Sequence, residues 1–341
     1  MEILFEYGNL EALLYKRESE SKREVCQMAD VTALGELLID FTENGLSGQG
    51  NPIFEANPGG APCNVLAMLT KLGNKTAFIG KVGNDYLGNL LKDKVTGIGI
   101  NTDHLFLDDK IHTTLAFVHT AEDGDRDFSF YRNPGADMML CADEVDESVI
   151  AESKIFHFGT LSMTHEGVRE ATKKALDAAK KNHVLISFDP NLREPLWESL
   201  DDAKEQVAYG MGMCDILKIS DNEIEWYTGE TDYSKGVAKI RESFDIPLIL
   251  VSMGKDGSRA YDKDEMIEIP AFIQPDTIET TGAGDTFDAC VLDYILKHGM
   301  ELSRAQIAEM LTFANAAAAL ITTKKGALCV MPSREEVLKL L

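Results

Sequence analysis

The amino-acid sequence predicts an α/β protein: a doubly wound, mainly parallel sheet with helices on both faces, carrying a small lid of extra strands. Three observations lead there. Short apolar runs recur along the chain, each is followed by a stretch of helical periodicity, and one hairpin pattern interrupts that alternation. With 341 residues, 44% of them hydrophobic, the chain can fill one large core or a core with a small accessory domain.

Taken in order, residues 1–30 read as an N-terminal extension, a short amphipathic piece docked on the surface, ahead of a domain spanning 31–341. TALGELLID (32–40) is the first strand pattern, followed by TAFIG (76–80), KIFHFG (154–159), HVLISF (183–188), DILKIS (215–220) and PLILV (247–251). Their near-continuous apolar character suits strands covered on both faces. NVLAMLTKL (64–72), EGVREATKKALDAAKK (166–181) and NEIEWYTG (222–229) have helical spacing, the last ending on Gly229 as a helix C-terminus should. In such folds ligands bind at the carboxyl ends of the strands. HTTLAFVHTAEDGDRDFSFYR (112–132) breaks the rhythm with two β-rich runs about an Asp123-Gly124 turn. With the Gly-, Asn- and Pro-rich region 43–58 it predicts lid strands within about 43–58 and 112–138.

Composition excludes several functions. Against 33 Lys and Arg stand 57 Asp and Glu, a formal charge of -24, with no basic block to track nucleic acid or an anionic membrane. Neither partner is expected. Phosphorylated ligands remain admissible, because a local set of backbone N–H groups or one Arg outweighs a distant diffuse field. The six cysteines (Cys26, Cys63, Cys141, Cys214, Cys290, Cys329) show no metal or redox spacing and read as reduced and mostly buried. No apolar run approaches the ~18 to 20 residues of a membrane span, and the opening segment mixes acids with its basic residues, unlike a leader peptide. A cytoplasmic protein is expected.

IETTGAGDTFDAC (278–290) gathers Gly282, Ala283 and Gly284 ahead of Asp285. Beyond it Phe287, Cys290, Val291, Tyr294 and Ile295 share one helix face, and Lys297, His298 and Gly299 supply C-terminal signals. Small residues in a loop entering a helix let the backbone approach a ligand closely, and the orphan N–H groups favour an anion. If that anion is a phosphoryl group in transit, the three amides stabilise its charge and Asp285 accepts the proton of the attacking hydroxyl. The same residues also suit a tight loop with an N-cap aspartate. The local pattern leaves both readings open.

The wider sequence separates them. ETTGAGDTFDAC (279–290) closely resembles the signature of the ribokinase-like (PfkB) carbohydrate kinases, and NPGGAPCNVLAMLTKLG (57–73) with FIGKVGNDYLG (78–88) resembles that family's sugar-side signature. SDNEIE (220–225) and VSMGKDG (251–257) extend the likeness over residues 31–334. DRDFSFYRNPGADMML (125–140), FDPNLREPLW (188–197) and LKISDNE (217–223) resemble segments of bacterial fructokinases, although 2-keto-3-deoxygluconate kinases share the Tyr-Arg and D-x-N-x-R elements.

The resemblance implies an ATP- and Mg²⁺-dependent kinase acting on a primary hydroxyl of a neutral ketose, D-fructose first. It places Asp40 against sugar hydroxyls, with Gly59, Gly60 and Asn64 in the same pocket. Arg132, Asn191 and Arg193 would face the substrate or the travelling phosphoryl group. Asn222 and Glu225 match an N-x-x-E element that organises water-coordinated Mg²⁺ and nucleotide phosphates. Ser252, Gly254, Gly257 and Asn315 fall on the nucleotide side. Each has an ordinary alternative: Asn64 as a helix cap, Arg132 as an exposed ion-pair partner, the glycines as loop residues. Glu279 stands where the family usually has Asp, beside a monovalent-cation site, which puts K⁺ dependence in question. The lid either forms a homodimer surface, as it often does in the resembling family, or covers the site of a monomer.

Two further classes compete. A catalytically silent sugar-binding or regulatory homologue would keep the fold, but the intact G-A-G-D loop opposes it. A nicotinamide-dependent dehydrogenase would suit the alternation, yet no G-x-G-x-x-G opens the first strand–helix unit.

Overall fold

The computed structural model describes residues 29–120, 126–263 and 265–341. The N-terminal extension, save its last two residues, and the Asp123-Gly124 turn lie outside them. The strands are β1 (Val31–Leu34), β2 (Leu38–Leu46), β3 (Pro52–Gly59), β4 (Thr76–Gly83), β5 (Asn101–Asp108), β6 (Leu115–Thr120), β7 (Arg126–Tyr131), β8 (Ile155–Gly159), β9 (Leu185–Asp189), β10 (Ile216–Ser220), β11 (Leu248–Ser252), β12 (Ser258–Asp262) and β13 (Glu265–Ile269). The helices are α1 (Ala61–Lys71), α2 (Tyr86–Ile98), α3 (Glu147–Ala151), α4 (Glu166–Lys181), α5 (Leu200–Met213), α6 (Asp221–Thr228), α7 (Tyr233–Arg241), α8 (Ala283–His298), α9 (Arg304–Ile321) and α10 (Arg334–Leu340).

Among the described residues the main sheet has nine strands in the order β13-β12-β11-β10-β9-β8-β1-β4-β5. From β11 to β5 all neighbours are parallel; β12 and β13 close one edge antiparallel. Alternate residues serve opposite faces. Ile216, Leu248 and Leu250 pack in one cluster with α1, α8 and α9, whereas Leu217, Ile219, Ile249 and Val251 pack in another with α4, α5, α6 and α7. That two-sided burial is why these strands read as unbroken apolar runs. The chain runs from β1 outward to β4 and β5 on one side, then returns to build β8 to β11 on the other. The reversal opens a crevice at the carboxyl ends of β1 and β8.

The expected first strand, 32–40, is two strands in different sheets. β1 ends at Leu34, and β2 starts at Leu38 in a four-stranded sheet ordered β3-β2-β6-β7. At the break the chain passes hard against the start of α1: a Cβ on Gly35 would come 2.5 Å from Pro62 Cγ, so glycine is required where the chain leaves the main sheet. Asp40 therefore sits near the beginning of a lid strand rather than at the end of a core strand. β6 and β7 pair antiparallel, as the hairpin pattern requires. Phe41 and Phe117 stack across β2 and β6 with ring centroids 5.0 Å apart, and Leu46, Phe54 and Tyr131 remain exposed. Of the five cysteines among the described residues, Cys63, Cys214 and Cys290 are buried, but Cys141 and Cys329 are exposed.

Candidate active site

Helix α8 begins at Ala283 with Gly282 as its N-cap. Gly282 has φ 77°, and a Cβ there would lie 2.6 Å from the Ala327 methyl, so both backbone and space require glycine. Asp285 lies inside the first helical turn, not in the loop that the sequence suggested. Its carboxylate is buried, and Oδ2 accepts a hydrogen bond from Asn64 Nδ2 at 2.8 Å. Burial raises its pKa, opposed by the Asn64 bond and by the charges of Lys218 and Arg193.

Asn64 belongs to α1, whose N-cap is Gly60 at φ 125°. Capping is done from a distance: Glu36 Oε1 accepts from the Ala61 N–H at 2.8 Å, which leaves Asn64, in the second turn, to bond Asp285. The Asn64 Oδ1 atom is buried without a hydrogen-bond partner among the described residues. Glu36 is itself buried, and desolvation pushes its pKa up to about 7 despite the Ala61 bond. The glycine pair has a local cause: a Cβ on Gly59 would collide with Asp40 Oδ2, and one on Gly60 with the Glu36 carbonyl.

These groups surround one cavity of about 290 Å³, lined by Glu36, Leu38, Asp40, Gly60, Ala61, Asn64, Phe130, Leu161, Asn191, Arg193, Lys218, Thr280, Thr281, Gly282, Gly284 and Asp285. Its polar groups come from both sheets and two helix N-termini. A second cavity of about 380 Å³ has a more apolar lining that includes Ser252, Gly254, Gly257, Phe272, Ile273, Phe287, Asn315 and Ala318. Thr280 and Gly284 line both. The two chambers thus meet at the start of α8, beside Asp285. Asn315 shapes the second chamber by donating to the carbonyls of Ile269 and Pro270, at 3.0 and 3.2 Å, and accepting from Ser258.

Four expected site residues line neither chamber: Gly59 lies behind the lining and leaves room for the Asp40 carboxylate, and three stand elsewhere. Arg132 is buried away from the cavity lining, its guanidinium bonded to Asp137 Oδ2 through Nε at 2.7 Å, to Thr164 Oγ1 at 2.8 Å and to the Leu161 carbonyl at 2.9 Å. Its fork holds the wall behind Leu161 instead of facing the cavity. Asn222 and Glu225 are exposed on α6 and line neither chamber. Helix phase explains this: Ser220 is the N-cap and Glu223 the reciprocal acid, accepting from the Ser220 N–H at 2.8 Å and from the Leu192 N–H at 2.7 Å. S-x-x-E, the capping-box spacing, was the readable signal for Glu223.

Sequence reasoning also passed over Lys218, Asp189 and Glu36. Lys218 Nζ donates to Asp189 Oδ2 at 2.8 Å, with both side chains buried. Burial alone would lower the Lys218 pKa, but Asp189 and Glu223 hold it above its ordinary value. Burial pushes Asp189 up to about 6, with Lys218 opposing. The available signal was a lone Lys amid the apolar run DILKIS.

Residues 28–334 match the model of the pfkB family of carbohydrate kinases. The chain belongs to that family. Probable fructokinase-2 of Arabidopsis thaliana is 40% identical over 314 residues, 91% of this chain and 95% of that protein. Among solved structures, a fructokinase of Xylella fastidiosa with bound ATP superposes with a TM-score of 0.83 at 29% identity, covering 92% of this chain and 98% of the other. A double-mutant fructokinase of Vibrio cholerae with fructose, ADP and potassium ion bound gives a TM-score of 0.80 at 27% identity, over 92% and 98%. The ribokinase-like architecture expected from the sequence is the one these members share.

Proposed function

We propose that the protein transfers the γ-phosphoryl group of ATP to a primary hydroxyl of D-fructose. The observation that carries this reading is the junction at Gly284, where a polar chamber and a more apolar chamber meet beside a buried carboxylate at a helix N-terminus. Fructose occupies the polar chamber, against Asp40, Gly60, Asn64, Asn191 and Arg193, with Gly59 giving the Asp40 carboxylate its room. The adenine nucleotide occupies the other, along Ser252, Gly254, Gly257 and Asn315. The amides of Gly282, Ala283 and Gly284 stabilise charge on the phosphoryl oxygens while Asp285 takes the hydroxyl proton. Asn64 orients Asp285 through its Nδ2 donor and leaves Oδ1 to accept from a sugar hydroxyl. Arg193, whose one side-chain hydrogen bond among the described residues is to its neighbour's carbonyl at 3.2 Å, supplies a cation on the sugar side.

Among the described residues no group of three acids, His or Cys forms a metal cage. The residues instead suit Mg²⁺ held mostly by nucleotide phosphates and water, with the buried, unpartnered Asp189 Oδ1 as an acceptor for a metal-bound water. Mg²⁺ there neutralises phosphate charge. Potassium is a separable proposal: Glu279 accepts from the Gly326 N–H at 2.7 Å, and activity in K⁺ against choline tests the effect. Exposed Leu46, Phe54 and Tyr131 support a homodimer through the lid, checked by sedimentation.

An acceptor panel assayed for ADP release tests the main reading. Fructose should give the highest kcat/KM, with ribose and 2-keto-3-deoxygluconate much poorer. A preference for 2-keto-3-deoxygluconate would overturn the fructose assignment and leave the transfer chemistry standing.

A further inference from the structure

The kinase mechanism above uses the backbone amides of α8 and the carboxylate of Asp285, and leaves aside a buried ammonium group at the same place. Lys218 lies in the middle of β10, between Leu217 and Ile219, which face the opposite helical layer. Its side chain therefore points to the layer that contains α8. Nζ stands 3.1 Å from the point where a Cβ on Gly284 would be, and Gly284 is common to the two chambers. A buried lysine with no task is costly, since removing an ammonium from water is repaid only by close partners. Of its three N–H donors, one has a partner among the described residues, Asp189 Oδ2 at 2.8 Å.

We propose that Lys218 is a catalytic residue, its Nζ bonding an equatorial oxygen of the phosphoryl group as that group crosses above Gly284, with Asp189 as the positioning residue that aims it. This deepens the kinase reading and rests on it. In the step, the hydroxyl oxygen of the sugar forms a bond to the γ-phosphorus, the bond from that phosphorus to the bridging oxygen breaks, and its electron pair leaves with ADP. The hydroxyl proton goes to Asp285. Lys218 neither gains nor loses a proton; it adds a full positive charge to the partial charges of the amides, on the side of the phosphoryl group facing β10. Asp189 is well suited to positioning, because the Lys218 contact is short and is made by Oδ2, which leaves Oδ1 for the metal-bound water.

The arrangement also accounts for Gly284. Any side chain at that position would press on the ammonium group, so glycine there serves the cation as well as the ligand's approach.

The test compares wild type with Lys218→Met, which keeps length and removes charge. Steady-state assays with fructose and MgATP should show kcat reduced at least about 100-fold with fructose KM changed less than about threefold, the pattern of an interaction made in the transition state. A second readout does not need turnover. Aluminium fluoride should tighten MgADP binding in the presence of fructose for wild type, and tighten it far less for Lys218→Met. A purely structural lysine would not produce that difference. Should Lys218→Met fail to fold because Asp189 is left unpaired, Lys218→Gln, whose uncharged amide can still donate to Asp189, takes its place, and the same loss of kcat and of fluoride tightening is expected from it. A folded variant with kcat within tenfold of wild type, or with undiminished fluoride tightening, overturns the proposal. If wild type phosphorylates no sugar, the kinase reading falls and this one falls with it; an active wild type beside an equally active variant defeats the lysine role alone.

Discussion

Replacing Glu36 by Gln should make the protein more stable at alkaline pH and leave it almost unchanged at acid pH. Burial pushes the Glu36 pKa from an ordinary 4.5 up to about 7, while its Oε1 accepts the Ala61 N–H at the start of α1. A raised carboxyl pKa means that the folded state binds the proton more tightly than the unfolded chain. The stability it represents is complete below about pH 4.5 and is lost as pH rises through about 7. The difference corresponds to roughly 3 kcal/mol at pH 8, as an order of magnitude. Gln keeps the oxygen that caps α1 and never ionises, so the variant escapes this loss. Unfolding entropy of about 2 cal/mol/K per residue converts 3 kcal/mol into an offset of about 4 °C for a chain of this size. Differential scanning calorimetry of both proteins at pH 5 and pH 8 reads it directly, because every other titrating group cancels between them. The Tm offset in favour of Glu36→Gln should grow between the two pH values. An equal offset at both, or a larger one at pH 5, would show that Glu36 titrates as an exposed acid and that the cap is not buried as described.

Asp285→Asn removes the proton acceptor but keeps the Asn64 contact geometry, so kcat should fall about 10²- to 10⁴-fold while the melting temperature at neutral pH rises, because the raised Asp285 pKa marks a buried charge that Asn does not carry. In wild type the acid limb of the kcat profile should reflect the raised Asp285 pKa, activity being lost as pH falls through it; a variant with near-normal turnover would remove Asp285 from that role. Arg132→Ala leaves Asp137 buried without its guanidinium partner and should cost about 3 to 5 kcal/mol in urea unfolding. A changed fructose KM without loss of stability would return Arg132 to the substrate. Asp40→Ala should weaken fructose by about 1 to 3 kcal/mol per lost hydrogen bond while sparing the KM for ATP, measured by varying each substrate in turn.

The sequence made the two-sided strands and the longest helix pattern plain, because burial on both faces and a 3.6-residue period leave marks on every residue. α4 spans the residues its pattern indicated, 166–181. The division of 32–40 was hidden, since the close approach that accompanies it, Gly35 against Pro62, involves a residue 27 positions later. The same distinction holds in the site. Gly282 to Asp285, Asn64 and Asp40 lie close to chemistry that a local motif encodes. Lys218 was passed over and Arg132 misplaced because a side chain's direction depends on strand phase and on partners remote in sequence: Asp189 fixes one, Thr164 and the Leu161 carbonyl the other. For α6 the phase was legible after all, in the spacing of Ser220 and Glu223.

The boundary between the two chambers runs along Thr280 and Gly284, which line both. A two-headed compound, with a hexose-like group joined by a short charged bridge to an adenosine-like group, would straddle it. Once one head is bound, the other is confined near its own chamber at an effective concentration of about millimolar order, and the advantage declines as the tether lengthens beyond the span. Tether length, more than the strength of either head, should therefore govern how tightly such inhibitors hold this protein.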